Sequence, residues 1–308
     1  MVDIKEVAKS IYMIDDQLYS IPKWGSVYLI NETKKALIDT GPTTSANAVL
    51  DGIKKIGVDP EEIDYLVVTH IHLDHAGGAG VLLKDMPKVQ VVVHEKGAKH
   101  LVAPEKLVSS FAMAMGEEMM AKVGEVVPID VERINPVNDN DVLELGKGQT
   151  LKFIHAPGHA PHELCILESR HNGLFGGDGI GISVADNEVL LPVTPPPSFD
   201  LEIYLDTLKR LMTLPVQMIY FAHFGASDKV KENLQIARDK LRLWNDIIAN
   251  AVNENGFDGA AAKLQAQICT ELEPVKKMDA LYKYLTGGLA LLNVAGYLKY
   301  YREKHGAN

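Results

Sequence analysis

The chain has 308 residues, 46% apolar and 23% charged, and a formal net charge of −10. That length is long for one domain and short for three. The acidic balance weighs against a basic, phosphate-tracking surface, so no nucleic-acid partner is expected. No run approaches the ~18 apolar residues of a membrane span, and MVDIKEVAKSIYMIDD lacks the apolar stretch of a secretory signal. The expectation is a cytoplasmic protein with no membrane contact. Cys165 and Cys269 are the two cysteines, read as reduced thiols.

In chain order, 11–14, 26–31 and 36–39 are short β-rich runs between polar turns. Residues 43–57 predict a helix with a Ser or Thr cap and a left-handed stop at Gly57. IDYLVVTH (63–70) and VQVVVHE (89–95) predict strands, and GGAGVLLKDM between them a helix start. This alternation favours a layered α/β architecture. A Met-rich helix, 105–123, interrupts it, with Leu107, Phe111, Met115 and Met119 four apart on one face. That helix reads first as plain core, and alternatively as an adaptable apolar wall for a substrate. Strands follow at 142–145, 150–155, 163–168 and 173–176, then a helix opened by Asp200 (201–213) and a strand at 216–223. Beyond 227 the pattern is helical: 227–253, 258–272, and 278–303 with a break at Gly287–Gly288. The division predicted is 1–226, carrying the inserted helix, and a helical extension, 227–308.

VVTHIHLDHAGGAG (67–80) places His70, His72, Asp74 and His75 within six positions. Side chains at 70 and 72 would diverge by about 200° on a helix, so the motif must work as a loop after a strand. Gly77 or Gly78 would permit a close backbone approach there. Imidazole and carboxylate are ligands for zinc, iron or manganese, and four on so short a loop suit two ions better than one. Completing ligands are offered at three further strand-end turns: His159 in HAPGHAPHE, Asp178 in LFGGDGIG and His223 in YFAHFGAS.

Asp39 (ALIDTG), HxHxDH (70–75), His159, Asp178 and His223, in this order, resemble the metallo-β-lactamase fold superfamily over residues 10–225, in its glyoxalase II and lactonase-like branch. The resemblance implies an αββα sandwich of two mixed sheets with outer helices. It also implies two divalent ions, with zinc expected first and iron or manganese as alternatives. His70, His72 and His159 would bind one ion, Asp74, His75 and His223 the other, and Asp178 would bridge them, with Asp39 orienting the loop by hydrogen bonds. Relatives often read GHTPGH at the third motif, where this chain ends in His162 and Glu163. Asp178 stands where true β-lactamases often carry Cys. His72 and the lack of a flavodoxin pattern after 227 argue against flavodiiron proteins.

The expected activity is hydrolysis by a hydroxide activated between two ions, on a carboxylic ester, thioester or lactone, with Asp74 also passing a proton. The alternative is a persulfide dioxygenase using one iron. Phosphodiesterase or nuclease action, or a silent binding role, ranks below these. Trp24 in IPKWGS, Phe111, Met115, His162 and Phe224 are candidates for the substrate pocket, Trp24 as an exposed loop residue at its entrance. Glu163 reads as satisfying a local backbone group or ion pair, and His94, His100, His155, His171 and His305 have no partner pattern. The C-terminal helices could complete the pocket or join copies of the chain. A small-molecule substrate is the partner expected.

Overall fold

A computed structural model describes residues 2–184 and 189–305; the side chains of Asn255, Phe257 and His305 lie outside the described residues. The first sheet runs in simple sequence order: β1 (Ile4–Ala8), β2 (Ile11–Asp15), β3 (Ser26–Ile30), β4 (Lys35–Ile38), β5 (Ile63–Val67), β6 (Gln90–His94) and β7 (Ile134–Val137). Its first four strands are antiparallel, and β4 to β7 are parallel. The second sheet contains β8 (Val142–Gly146), β9 (Gln149–His155), β10 (Leu164–Glu168) and β11 (Gly173–Phe175). A separate ribbon, β12 (Ile182–Val184) with β13 (Val189–Leu191), precedes its last strands, β14 (Met218–Tyr220) and β15 (Ala226–Ser227).

The strand sequences dictate the layers, because neighbouring side chains face opposite sides of a sheet. In β3 to β6, Tyr28, Ile30, Ala36, Ile38, Val67 and Val92 face the second sheet, meeting Leu151, Phe153, Leu164, Ile166 and Phe175. The alternate residues Val27, Leu29, Leu37, Leu66, Val91 and Val93 pack outward beneath helix α1 (Ala46–Lys55) through Val49 and Ile53. On the far side, Ile154, Cys165, Leu174 and Ile219 share a core with the C-terminal helices. Two mixed sheets between helical layers result, as the sequence leads one to expect.

The remaining helices are α2 (Leu73–Ala76), α3 (Ala79–Leu82), α4 (Glu95–Val102), α5 (Glu105–Val123), α6 (Leu201–Leu211), α7 (Val230–Glu271), α8 (Asp279–Tyr284) and α9 (Ala290–His305). Asp200 caps α6, accepting a hydrogen bond from Ile203 N at 3.0 Å. Gly57 takes the left-handed conformation, φ 88°, as predicted. The hydroxyl cap of α1 does not form. Thr43 Oγ1 instead donates to Gly77 O at 2.9 Å and Thr44 Oγ1 to Lys122 O. These bonds tie the start of α1 to the α2–α3 turn and the end of α5.

Other departures have local causes. The two helices predicted over 227–272 form one, interrupted at Gly256 with φ 65°. The break at Gly287–Gly288 is instead a wide helical turn, Leu285–Leu289, joining α8 to α9. β1 and β7 escape the sequence pattern because both are edge strands: IKEVA is charged, and INPV carries a proline that only an edge tolerates. No helix among the described residues is long and apolar enough to cross a membrane. Both cysteines are free thiols, Cys165 buried in β10 and Cys269 half-buried in α7.

Candidate metal centre

Each sequence-predicted site residue of these motifs sits just beyond the C-terminal end of a strand: Asp39 after β4, the cluster after β5, His159 after β9, Asp178 after β11 and His223 after β14. β4 and β5 are parallel. β9 and β11 both run antiparallel to β10, and β14 is parallel to β11. The strand directions therefore bring all five loops to one edge of the sandwich.

The cluster is only half a loop. His70 to His72 are irregular, but Leu73–Ala76 form a single helical turn, so Asp74 and His75 leave it in different directions. Close approach at Gly78 makes the turn possible: its N–H donates to Gly41 O at 2.9 Å, and an added Cβ would lie 3.0 Å from Pro42 O.

Two adjoining donor groups result. His70 Nε2 and His159 Nε2 lie 3.0 and 2.9 Å from His72 Nδ1. Asp178 Oδ1 is 3.5 Å from both His75 Nε2 and His223 Nε2, while its Oδ2 is 3.6 Å from His159 Nε2. Asp74 Oδ2 lies 3.7 Å from His75 Nε2 and 3.9 Å from His223 Nε2. His70–His72–His159 and Asp74–His75–His223 each present three donor atoms within 4.8 Å of one another, and so do His70, His75 and Asp178 between them.

The surrounding hydrogen bonds fix which nitrogen two of the imidazoles present. His75 Nδ1 lies 3.1 Å from Asp39 Oδ2, so its Nε2 points inward. His159 Nδ1 donates to Val193 O at 3.0 Å. Asp39 itself takes a left-handed conformation, φ 60°, and also accepts from Thr69 N at 2.7 Å. A buried carboxylate thus braces both ends of the loop. Glu163 is fully buried. Its Oε1 accepts from Asp178 N at 3.0 Å, and its Oε2 is 3.3 Å from His70 Nδ1, short of hydrogen-bond alignment. The local backbone or ion-pair partner expected for Glu163 is found in the loops that carry Asp178 and His70.

Burial pushes His72 down to about 4 and His223 to about 3, and holds His70 and His159 well below the usual range. Burial, then the charge of Asp74, raises Asp178 to about 7, against the pull of His75. Burial also opposes a charged His75, but Asp178, Asp74 and Asp39 outweigh it and raise it well above normal. His75 Nε2 and Asp178 Oδ1 are buried with no hydrogen-bond partner. Four imidazoles held neutral, beside clustered carboxylates that favour a charged His75, are a set that calls for cationic charge.

A cavity of about 420 Å³ opens over these groups. Helix α5 walls it with Leu107, Phe111 and Met115. Only Val123 of this helix is buried, and Met113 is 88% exposed. The plain-core reading of α5 is therefore corrected: it is a wall, kinked at Gly116 with φ 80°. Trp24 lines the cavity but is 2% exposed, its ring centroid 4.4 Å from that of His223. It is a buried floor, not an exposed entrance, because the turn carrying it folds under the β14 loop, where Ser26 N donates to Ala222 O at 2.8 Å. His162 lines the cavity and is buried. Phe224 does not line it. Left-handed φ at Phe224 (55°) and the following Gly225 turn its ring into the core between the sheets.

The C-terminal helices complete the cavity with Tyr284, Leu289 and Leu292. They also hold one ligand loop. Asn293 Oδ1 in α9 accepts from Thr194 N at 2.7 Å and from its hydroxyl at 3.1 Å. The preceding residue, Val193, is the acceptor for His159.

The family model described as the metallo-beta-lactamase superfamily matches residues 24–223. The chain belongs to that superfamily. A metallo-beta-lactamase fold-containing protein of Sulfurisphaera tokodaii is 31% identical over 236 residues, covering 73% of this chain and 84% of that one. An N-acyl homoserine lactonase of a Bacillus species is a more distant superfamily relative, 24% identical over 67% of this chain and 83% of its own. The structure of a metallo-beta-lactamase family protein from Thermus thermophilus shares the fold over 97% of this chain and 95% of that one, with TM-score 0.68 and 18% identity. The shared fold thus extends through the C-terminal helices.

Proposed function

We propose that this superfamily member is a hydrolase that holds two divalent metal ions and cleaves a carboxylic ester, thioester or lactone. His70, His72 and His159 would hold one ion, Asp74, His75 and His223 the other, and Asp178 would reach both. Nitrogen and carboxylate donors of this kind suit zinc, iron or manganese, with zinc the first expectation. The bound ions would supply Lewis acidity and a water acidic enough to attack near neutral pH.

The chain's own groups then have separate tasks. Asp74 is the cluster carboxylate most open to the cavity, its side chain 20% exposed. Burial opposes its charge, but His75, His223 and His72 outweigh it and keep Asp74 below the usual carboxylate range. In this reading it would orient the attacking water and pass a proton to the leaving group. Phe111 and Met115 would seat the acyl chain and exclude bulk water. Asp39 and Glu163 hold the ligand loops.

The observation carrying this reading is the two donor groups joined through Asp178 beneath a largely apolar wall. Elemental analysis of protein purified without added metal, followed by an ester, thioester and lactone panel, tests it. About two ions per chain and turnover lost to a chelator support it. One iron per chain, with oxygen uptake on a glutathione persulfide, would replace it with the dioxygenase reading.

Asp39→Asn removes the anionic acceptor of His75 while keeping its shape. Metal affinity by chelator competition should fall roughly 10–100-fold. Unchanged affinity would show that Asp39 merely caps the turn.

A further inference from the structure

The cavity is apolar on most sides, but one rim is basic. Lys96, Lys99 and His100 project into it from α4, and Lys106 from the first turn of α5. Positions 96, 99 and 100 share one face of a helix, where like charges destabilise unless something compensates them. None of the three lysines has an ion-pair partner among the described residues. The adjacent carboxylate, Glu95, is occupied by Asn138 Nδ2 at 3.0 Å. Burial, then the charges of Lys99 and Lys106, depress His100.

His162 links this rim to the metal centre. It is buried, its Nδ1 has no hydrogen-bond partner, and its ring centroid is 5.8 Å from that of His72. It packs under α4, where a Cβ on Gly97 would lie 3.6 Å from its own Cβ. His72, His162, His100 and the lysines thus line the same cavity. In a chain of net charge −10, an unpaired basic rim beside the cavity over the metal centre is local complementarity, not a general property of the surface.

We propose that the substrate is an amphipathic anion. Its apolar segment lies between α5 and the C-terminal helices, its scissile carbonyl reaches the metal centre, and its carboxylate or phosphate group is held by Lys96, Lys99 and Lys106. The proposal rests on the hydrolase reading for the position of the carbonyl. Beyond that reading, it identifies the chemistry that selects the substrate.

Calorimetric titration of the metal-loaded protein with three non-hydrolysable ketones tests it: 9-oxodecanoate, 8-oxononyl phosphate and neutral 2-decanone. At an ionic strength of about 0.01 M, where screening extends to ~30 Å, at least one anion should bind about tenfold tighter than 2-decanone. The tighter anion identifies the recognised group. In Lys99→Glu/Lys106→Glu the ratio of anion to ketone affinity should fall to about one or below, and in Lys99→Arg/Lys106→Arg it should persist. Equal affinity for all three probes, or an advantage that survives charge reversal, overturns the proposal. Binding needs no turnover. Anion preference in a protein that cleaves no ester would overturn the hydrolase reading alone, and ester turnover without anion preference would overturn the anion site alone.

Discussion

Asp178→Asn should abolish the proposed hydrolysis nearly completely, lowering kcat/KM by about 10³-fold or more, or upwards of ~4 kcal/mol of transition-state stabilisation. Asp178 lies within 3.6 Å of nitrogens in both three-residue donor groups, His159 on one side and His75 and His223 on the other. Asparagine keeps the volume and one acceptor oxygen but removes the charge and the second oxygen. The two halves of the centre then lose their common carboxylate. Elemental analysis should show bound metal falling below two ions per chain. The fold should survive, because Asp178 N and O, which bond Glu163 and the Tyr204 hydroxyl, are backbone atoms that the substitution leaves in place. Wild-type turnover with intact metal content would remove Asp178 from the centre.

Gly296→Val tests a more distant connection. Gly296 in α9 lies so close to the ligand loop that an added Cβ would sit 1.7 Å from Thr194 O. Backbone on both sides leaves no flexible side chain to yield. The loop or the helix must move, at a cost of about 3 kcal/mol, and the melting temperature should fall on the order of 6–12 °C. Displacing Thr194 also displaces Val193 O, which fixes the ring of His159. Metal affinity should therefore fall with stability, by roughly 10–100-fold. Leu291→Ala, on the same helix but 57% exposed, should alter both quantities little, within about 0.5 kcal/mol. A Gly296→Val protein with normal metal affinity would mean that α9 does not position His159.

The candidate ligands were legible in the sequence because metal chemistry demands particular residue types, and because a strand followed by glycines shows where they are presented. His70, His72, Asp74, His75, His159, Asp178 and His223 converge as their motifs suggest. Their supports were harder to see. Glu163 acts across 15 residues on a backbone N–H, and Asn293 across 99 on another. Such bonds depend on tertiary placement and leave no periodic trace. Trp24 and Phe224 show the same limit in opposite directions. Each lies beside a turn, where exposure is the usual expectation, yet one is buried under the site and the other in the core between the sheets. Only the backbone geometry of the turns decides which. The lysine rim escaped notice because Lys96, Lys99 and Lys106 look like an ordinary solvated face until the cavity is seen beside them.

The shallow seating of α5 separates two kinds of change that this molecule can undergo. The metal-facing residues are locked by buried carboxylates, main-chain bonds and helix contacts, so an alteration there disturbs several neighbours at once. The first half of α5 touches the cavity with Leu107, Phe111 and Met115 while burying none of its residues fully. Substitutions along it can reshape what the cavity admits at small thermodynamic penalty, with the reactive centre untouched. Substrate range is thus free to drift, or to be engineered, on a part of the chain that stability barely constrains.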